Sequence, residues 1–411
     1  MKSHQTTAPY SAVTVAAIGY FVGLFDTFLL PALRIPSLKE IGILDADSLA
    51  TYTTIFNYQL AGMTLGALFL WGPFADSRGR RKILLGSIIV YSLAGILTAA
   101  VQDTTQYSII RFIAGVGLGG ELGAGVTLVS ENMDRKRRGV GSTIIVGIGV
   151  LGVVCAALIS KTSIHWRMIY VIGGVLGLLL LGFRIGVGES RLFEKNRSEN
   201  LRSNYFRTLR LLVTWPNLIK YVACVLVGTP IFFIVGLLVP GAPEFSKAFG
   251  LKEVPAVSTA LIWTYLSIAM GHIFCGFLSQ LLRSRKKAIL IFHGITMIAI
   301  CTFLFTPPVT PAGFYFRCAL AGIGLGYWAN LVTNAAEQFG TNVRGTVTIT
   351  APNFIRFLLF PISAAFFAMR PSLGIIGAGA IVGLGSSVVA VIATLSLKDK
   401  FDRDLDYNED V

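Results

Sequence analysis

GPFADSRGRRK, residues 72–82, is a short basic connection between two long apolar runs, and a degraded copy, GFLSQLLRSRKK, occupies residues 276–287, 204 positions on. A second set of landmarks agrees: Arg111, Glu131, Arg138 and Gly139 recur as Arg317, Glu337, Arg344 and Gly345, each 206 positions on. A fixed offset of this size marks an internal duplication. Around these landmarks, apolar runs begin near Val13, Thr53, Ile83, Tyr107, Val140 and Trp166, and again near Leu218, Val257, Ala288, Gly313, Thr346 and Leu373. A hydrocarbon layer about 30 Å thick takes a helix of roughly 20 apolar residues. The pattern predicts an all-α membrane protein of twelve transmembrane helices, two six-helix bundles in parallel repeat, with a substrate site between them near mid-membrane.

Composition agrees with this reading. The chain has 411 residues, 54% hydrophobic and 14% charged, with a mean hydropathy of +0.70, which excludes an ordinary water-soluble domain. The formal charge of +14 raises nucleic acid as a partner, but the basic residues sit in short loops between apolar runs. Arg78, Arg80, Arg81 and Lys82 form one cluster, Arg135, Lys136, Arg137 and Arg138 the next, and Arg283, Arg285, Lys286 and Lys287 a third, whereas Gln102 to Gln106 and Thr306 to Thr310 hold no Lys or Arg. That alternation is the positive-inside pattern. It places the basic loops and both termini in the cytoplasm and leaves no role for nucleic acid. The expected layout is an N-terminal bundle over 1–187, a cytoplasmic linker over 188–216, a C-terminal bundle over 217–397 and an acidic cytoplasmic tail over 398–411. Cys155, Cys224, Cys275, Cys301 and Cys318 all lie in apolar runs and read as packing residues. The first apolar run, with no basic leader or cleavage site before it, is expected to be retained.

Gly72, Asp76, Arg78, Gly79, Arg80 and Arg81 resemble the loop signature of the major facilitator superfamily. Glu131 with Arg138 and Gly139, and Glu337 with Arg344 and Gly345, resemble the paired signatures of its sugar porters. The resemblance implies that Asp76, Arg80, Glu131, Arg138, Glu337 and Arg344 form a cytoplasmic gate of ion pairs. Marking topology is the alternative, above all for Arg80, Arg81, Lys286 and Lys287. Gln280 stands in the second copy where the first has Asp76, which implies an asymmetric gate. GGELG at residues 119–123, ENMDRKRRG at 131–139 and GYFVGLFD at 19–26 are similar to the metabolite:proton symporters, except that Gly23 replaces that family's Glu.

Charged side chains at the centre of a span cost roughly 2.5 to 3.5 kcal/mol on insertion scales and ask for a partner or a wet cavity. Asp26 and Arg111 lie at matching depths in helices one and four, where proton-coupled sugar porters pair an Asp with an Arg. The resemblance implies a proton-coupling pair, with packing alone as the alternative. Glu121 falls about 15 Å deeper than Arg111 at 1.5 Å per residue. Its repeat mate at the offset of 206 is Tyr327, from which Asn330 and Asn334 continue one polar stripe. That stripe faces substrate or bonds a neighbouring helix. Arg356, with Asn353 one turn earlier, is the candidate anchor for a substrate anion, since guanidinium grips carboxylate bidentately; an ion pair with Glu121 is the competing account. Asp26, Glu121 and Arg356 are expected to border one aqueous path. His272 and His293 each read more simply as one interhelical hydrogen bond. Gly115, Gly117, Gly119 and Gly120 permit close helix crossing, and with no strand before them a nucleotide loop is excluded.

The function expected is secondary active transport: proton-coupled import of a small anionic or zwitterionic metabolite by alternating access, in a bacterial inner membrane. A siderophore or sugar transporter, or an exporter or facilitator, is the alternative on the same fold. No catalytic, cofactor or metal constellation is present in the sequence, and neither an enzyme nor a receptor is expected. The expected partners are a small molecule, protons and the lipid bilayer, with the protein a monomer.

Overall fold

The computed structural model describes residues 8–74, 80–121, 123, 125, 138–185 and 205–401. Asp76 and Glu131 lie outside the described residues, as do the side chains of Arg80 and Arg138, most of the linker and the tail beyond Phe401. All regular elements among the described residues are helical. The first half comprises α1 (Ala8–Ala32), a short α2 (Arg34–Glu40), α3 (Asp45–Leu65) prolonged by a π-helical stretch (Gly66–Trp71), α4 (Arg80–Thr98), α5 (Thr104–Leu118), α6 (Arg138–Ile159) and α7 (Trp166–Ile185). Within the expected linker lies α8 (Tyr205–Leu212), and the second half comprises α9 (Trp215–Leu226), α10 (Thr229–Phe233) with a second π stretch (Ile234–Leu238), α11 (Ala242–Ala248), α12 (Val257–Leu281), α13 (Arg285–Phe305), α14 (Pro311–Gly324), α15 (Trp328–Glu337), α16 (Thr341–Phe357) and α17 (Leu359–Ser396).

By length and composition, five helical stretches among the described residues can cross a membrane, from Val13–Ala32 to Val343–Ser396. Other expected spans are broken rather than missing. The tenth is split at residues 325–327 into α14 and α15, and the fourth turns at Gly119 and Gly120. The eleventh and twelfth run together in α17 until Gly374, whose φ of 69° ends the first of them; glycine meets no Cβ penalty there. Side-chain caps begin several helices: Asp103 accepts from the Gln106 amide, Ser284 from Lys287 and Thr310 from Gly313, each satisfying one of the amides a helix start leaves open. The second span starts at Asp45, ahead of the apolar run near Thr53, because the helix continues past the apolar layer.

The glycines of α5 account for its place. A Cβ on Gly115 or Gly119 would collide with the Gln59 or Met63 carbonyl of α3, and one on Gly117 would come within 2.6 Å of the Tyr91 amide of α4. Gly322, Gly324 and Gly326 repeat the arrangement, against Thr264 and Gly271 of α12 and Thr296 of α13. These glycines are 207 apart, one more than the offset of the flanking charges. Between the halves, α6 packs on α12 and α3 on α16. At the end remote from the basic loops, contacts across the halves close the protein: Arg34 Nη2 to Glu244 Oε2 at 2.9 Å, Asn57 Nδ2 to Ser363 Oγ at 2.9 Å and Lys161 Nζ to Thr259 Oγ1 at 3.3 Å. Near the basic loops, Tyr205 of α8 donates to the Leu68 carbonyl at 2.9 Å and packs on Gly72.

Candidate functional site

A cavity of about 60 Å³ lies between the halves, walled by α1 and α6 on one side and by α10, α12, α15 and α16 on the other. Its walls are apolar and aromatic, with Phe28, Phe232, Tyr265 and Trp328 prominent. Arg356 enters this wall. It is buried, its Nη1 donates to Asn353 Oδ1 at 2.9 Å, and its guanidinium stands 5.5 Å from the centre of the Trp328 ring. Among the described residues no carboxylate lies within ion-pair distance of it. Asn353 is itself held, donating to the Gly119 carbonyl at 3.2 Å across the halves, while its own carbonyl accepts from Thr64 at 3.0 Å.

Arg111 and Asp26 meet as an ion pair at 3.0 Å, with the arginine fully buried and the aspartate 3% exposed. The guanidinium lies 5.2 Å from the Tyr170 ring, and Tyr170 shares a 2.9 Å hydrogen bond with Tyr107. The pair sits inside the first half, beside Gly95 of α4. Glu121, also buried, accepts from Ser87 Oγ at 3.3 Å, and its Cγ lies 3.4 Å from where a Cβ on Gly23 would be. Gly23 therefore leaves the volume that Glu121 fills, and a larger side chain there would compete with it.

Of the three intramembrane charges expected to share one aqueous path, only Arg356 lines this cavity. Asp26 lies against Gly95 of α4 and Glu121 against Ser87 of α4 and Gly23 of α1, in separate buried positions. The expected stripe on the tenth span also turns away from the cavity: Tyr327 donates to the Val227 carbonyl at 3.2 Å, Asn330 to the Cys275 carbonyl at 3.0 Å, and Asn334 accepts from Gln338 at 3.3 Å. Trp328, which the sequence reading passed over, lines the cavity instead. The glycine offset of 207 would have found it, because it pairs Glu121 with Trp328, the first residue after each break. The aromatic rings around Arg356 and the cavity, Tyr20 and Phe28 of α1, Phe232 of α10, Tyr265 of α12 and Trp328 of α15, come from four helices and leave no local pattern in the sequence.

At the basic end, Glu337 pairs with Arg285 at 2.6 Å, and Arg344 Nε donates to the Ala336 and Phe339 carbonyls at 3.2 and 3.3 Å. Ser284 bonds Asp399, and Lys286 donates to the Leu395 and Leu397 carbonyls at 2.6 and 2.8 Å, so the start of the tail is fastened to α13. Among the described residues no group of three His, Cys, Asp or Glu side chains could hold a metal.

Two helical bundles in repeat, enclosing a small cavity with a buried cation at its wall, define a carrier that passes small molecules between its halves. The chain belongs to the Major Facilitator Superfamily, whose family model matches residues 16–351. It is a membrane transporter and not an enzyme. The chain is 27% identical over 365 residues to the niacin transporter of Acinetobacter baylyi, covering 82% of this chain and 81% of that one. It is 25% identical over 367 residues to the cis,cis-muconate transport protein of the same organism, covering 84% of each, and 25% identical over 380 residues to the sialic acid transporter of Escherichia coli, covering 85% and 91%. Among solved structures, the partially occluded inward-open xylose transporter of E. coli superposes with a TM-score of 0.75 at 15% identity, covering 97% of this chain and all of that one.

Proposed function

We propose that this transporter imports a small carboxylate-bearing metabolite together with protons, in a bacterial inner membrane with both termini cytoplasmic. The observation that carries the reading is the Arg356 guanidinium, buried at the cavity wall with no carboxylate beside it among the described residues. An unpaired cation in a dry interior costs several kcal/mol, and a substrate carboxylate bound bidentately would remove that cost. The names of the relatives point the same way, since cis,cis-muconate and sialic acid are acids. Asn353 fixes the guanidinium.

Asp26 carries the proton in this reading. Alternating exposure loads it from the outer solution and unloads it to the inner one, with Arg111 as its partner in the closed pair. A substrate carboxylate on Arg356 cancels a bare charge, so the loaded carrier crosses the closed intermediate at lower cost than the empty one. The bundles 1–187 and 217–397 rock about the α3–α16 and α6–α12 contacts, joined by the linker 188–216 and followed by the acidic cytoplasmic tail 398–411. Asp76, Arg80, Glu131 and Arg138 complete a gate with Glu337 and Arg344 when the basic end closes.

The test is uptake into liposomes with an alkaline interior, using radiolabelled nicotinate, muconate and xylose. The acids should accumulate, collapse on adding a protonophore, and fail to accumulate with Arg356→Ala. Accumulation of xylose that survives Arg356→Ala would remove the carboxylate reading.

A further inference from the structure

We infer that His272 is a specificity-determining contact, a hydrogen-bonding site for a second polar group on the ligand, and this rests on the reading of Arg356 as its carboxylate anchor. His272 lies on α12 and lines the same cavity as Arg356. It is only 8% exposed, and neither ring nitrogen has a hydrogen-bond partner in the protein. Its counterpart in the next helix behaves differently: His293 is tied by Nε2 to Thr394 Oγ1 at 3.0 Å and packs on Tyr327, away from the cavity. The two histidines look alike in sequence and are separated by what they touch.

A buried polar group left unsatisfied costs about 1 to 3 kcal/mol. Imidazole offers a donor at one nitrogen and an acceptor at the other, so it can meet a hydroxyl, a ring nitrogen or a carbonyl. The other lining residues are apolar apart from Arg356 and the Tyr20, Tyr265 and Trp328 side chains, so His272 is the one imidazole among them. The cavity thus presents a fixed cation on α16 and a hydrogen-bonding ring on α12. A carboxylate with nothing else to offer would bury the imidazole unpaired, and a carboxylate bearing a suitably placed second group would not. Discrimination of this kind, built on a site's own polar group, exceeds what shape alone gives.

The experiment is equilibrium binding to the purified full-length protein, with benzoate, the three hydroxybenzoates and phenol as probes. In the wild type, the best hydroxybenzoate should bind about 5- to 10-fold more tightly than benzoate, the ratio one net hydrogen bond supplies. His272→Phe should bring that ratio near one while benzoate still binds, and His272→Gln, which keeps a donor and an acceptor, should retain part of it. Arg356→Ala should weaken all the acids together and leave their ratios in place. An unchanged ratio in both His272 variants, each with a wild-type melting temperature, overturns the inference. If phenol binds in a His272-dependent way and no acid binds, the carboxylate reading fails while the His272 contact stands. Binding of none of the probes overturns both.

Discussion

Asp26 and Arg111 show how much one ion pair can be asked to do. Each is buried, and the pair is closed at 3.0 Å inside a shell of Tyr107 and Tyr170. Asp26→Asn keeps the shape and a hydrogen-bond acceptor but cannot carry charge. Counterflow exchange of substrate should persist in that variant, and accumulation driven by a pH gradient should be lost; both are read in the same liposomes with and without the gradient. A pair that only packs would lower the melting temperature and leave gradient-driven uptake intact. At Arg356, lysine retains the charge and loses the planar fork, so Arg356→Lys should weaken carboxylate binding by about 10- to 100-fold. These charges were readable from the sequence because an ionised residue in an apolar run is conspicuous. Trp328 and the Phe28 and Tyr265 rings were not, and His272, expected to make an interhelical hydrogen bond, makes none; aromatic and histidine side chains are ordinary in spans and acquire meaning only from neighbours on other helices. Counting the repeat by charges alone pointed to Tyr327, which bonds a backbone carbonyl; the glycines carry the correct register into the cavity.

Elements owe their positions to where side chains are missing. Because a Cβ on Gly115 or Gly119 would strike backbone oxygens of α3, no rotamer change can relieve the clash and the helix itself must shift. Gly119→Ala should lower the melting temperature by several degrees, in line with the roughly 1 to 3 kcal/mol of overpacking. Gly147→Ala in α6, where nothing lies within 4 Å, should be neutral or stabilising, since alanine favours helix over glycine by about 1 kcal/mol. Corners of the fold are set by polar contacts outside the spans. Glu40 at the end of α2 accepts from Trp166 Nε1 at 2.6 Å and Arg167 Nε at 2.9 Å at the start of α7. Burial alone would raise its pKa, but the hydrogen bonds from Arg167 and Trp166, with the charges of Arg167 and His165, outweigh it and hold the carboxyl below its usual range. The stabilisation is therefore complete above the ordinary carboxylate range and is lost as pH falls through the lowered value. Glu40→Gln should flatten that acid limb in a melting-temperature profile. The spans themselves were legible from apolar runs. Their breaks at residues 119–120 and 325–327 were not, because the glycines that permit them read equally well as crossing points.

On the scale of the whole molecule, the halves meet through polar contacts at the end away from the basic loops. Arg34 and Glu244 belong to α2 and α11, short helices in corresponding places of the repeat, and they pair across it at 2.9 Å. Neither was singled out from sequence, as both lie in the polar punctuation between spans, where charges are commonplace. Glu244→Arg should slow net uptake several-fold by opposing two buried positive charges, and adding Arg34→Glu should restore much of the rate; failure of the double variant to recover would assign the loss to local packing. The backbone-to-backbone seating of α5 on α3 and of α14 on α12 has a mechanical consequence. With no cushion of side chains at those seams, either bundle is too stiff to absorb a push by deforming. A displacement applied where a ligand draws the α1 and α6 wall towards Arg356 is therefore passed on as a tilt of a whole bundle, a lever whose fulcrum lies at the α3–α16 and α6–α12 contacts.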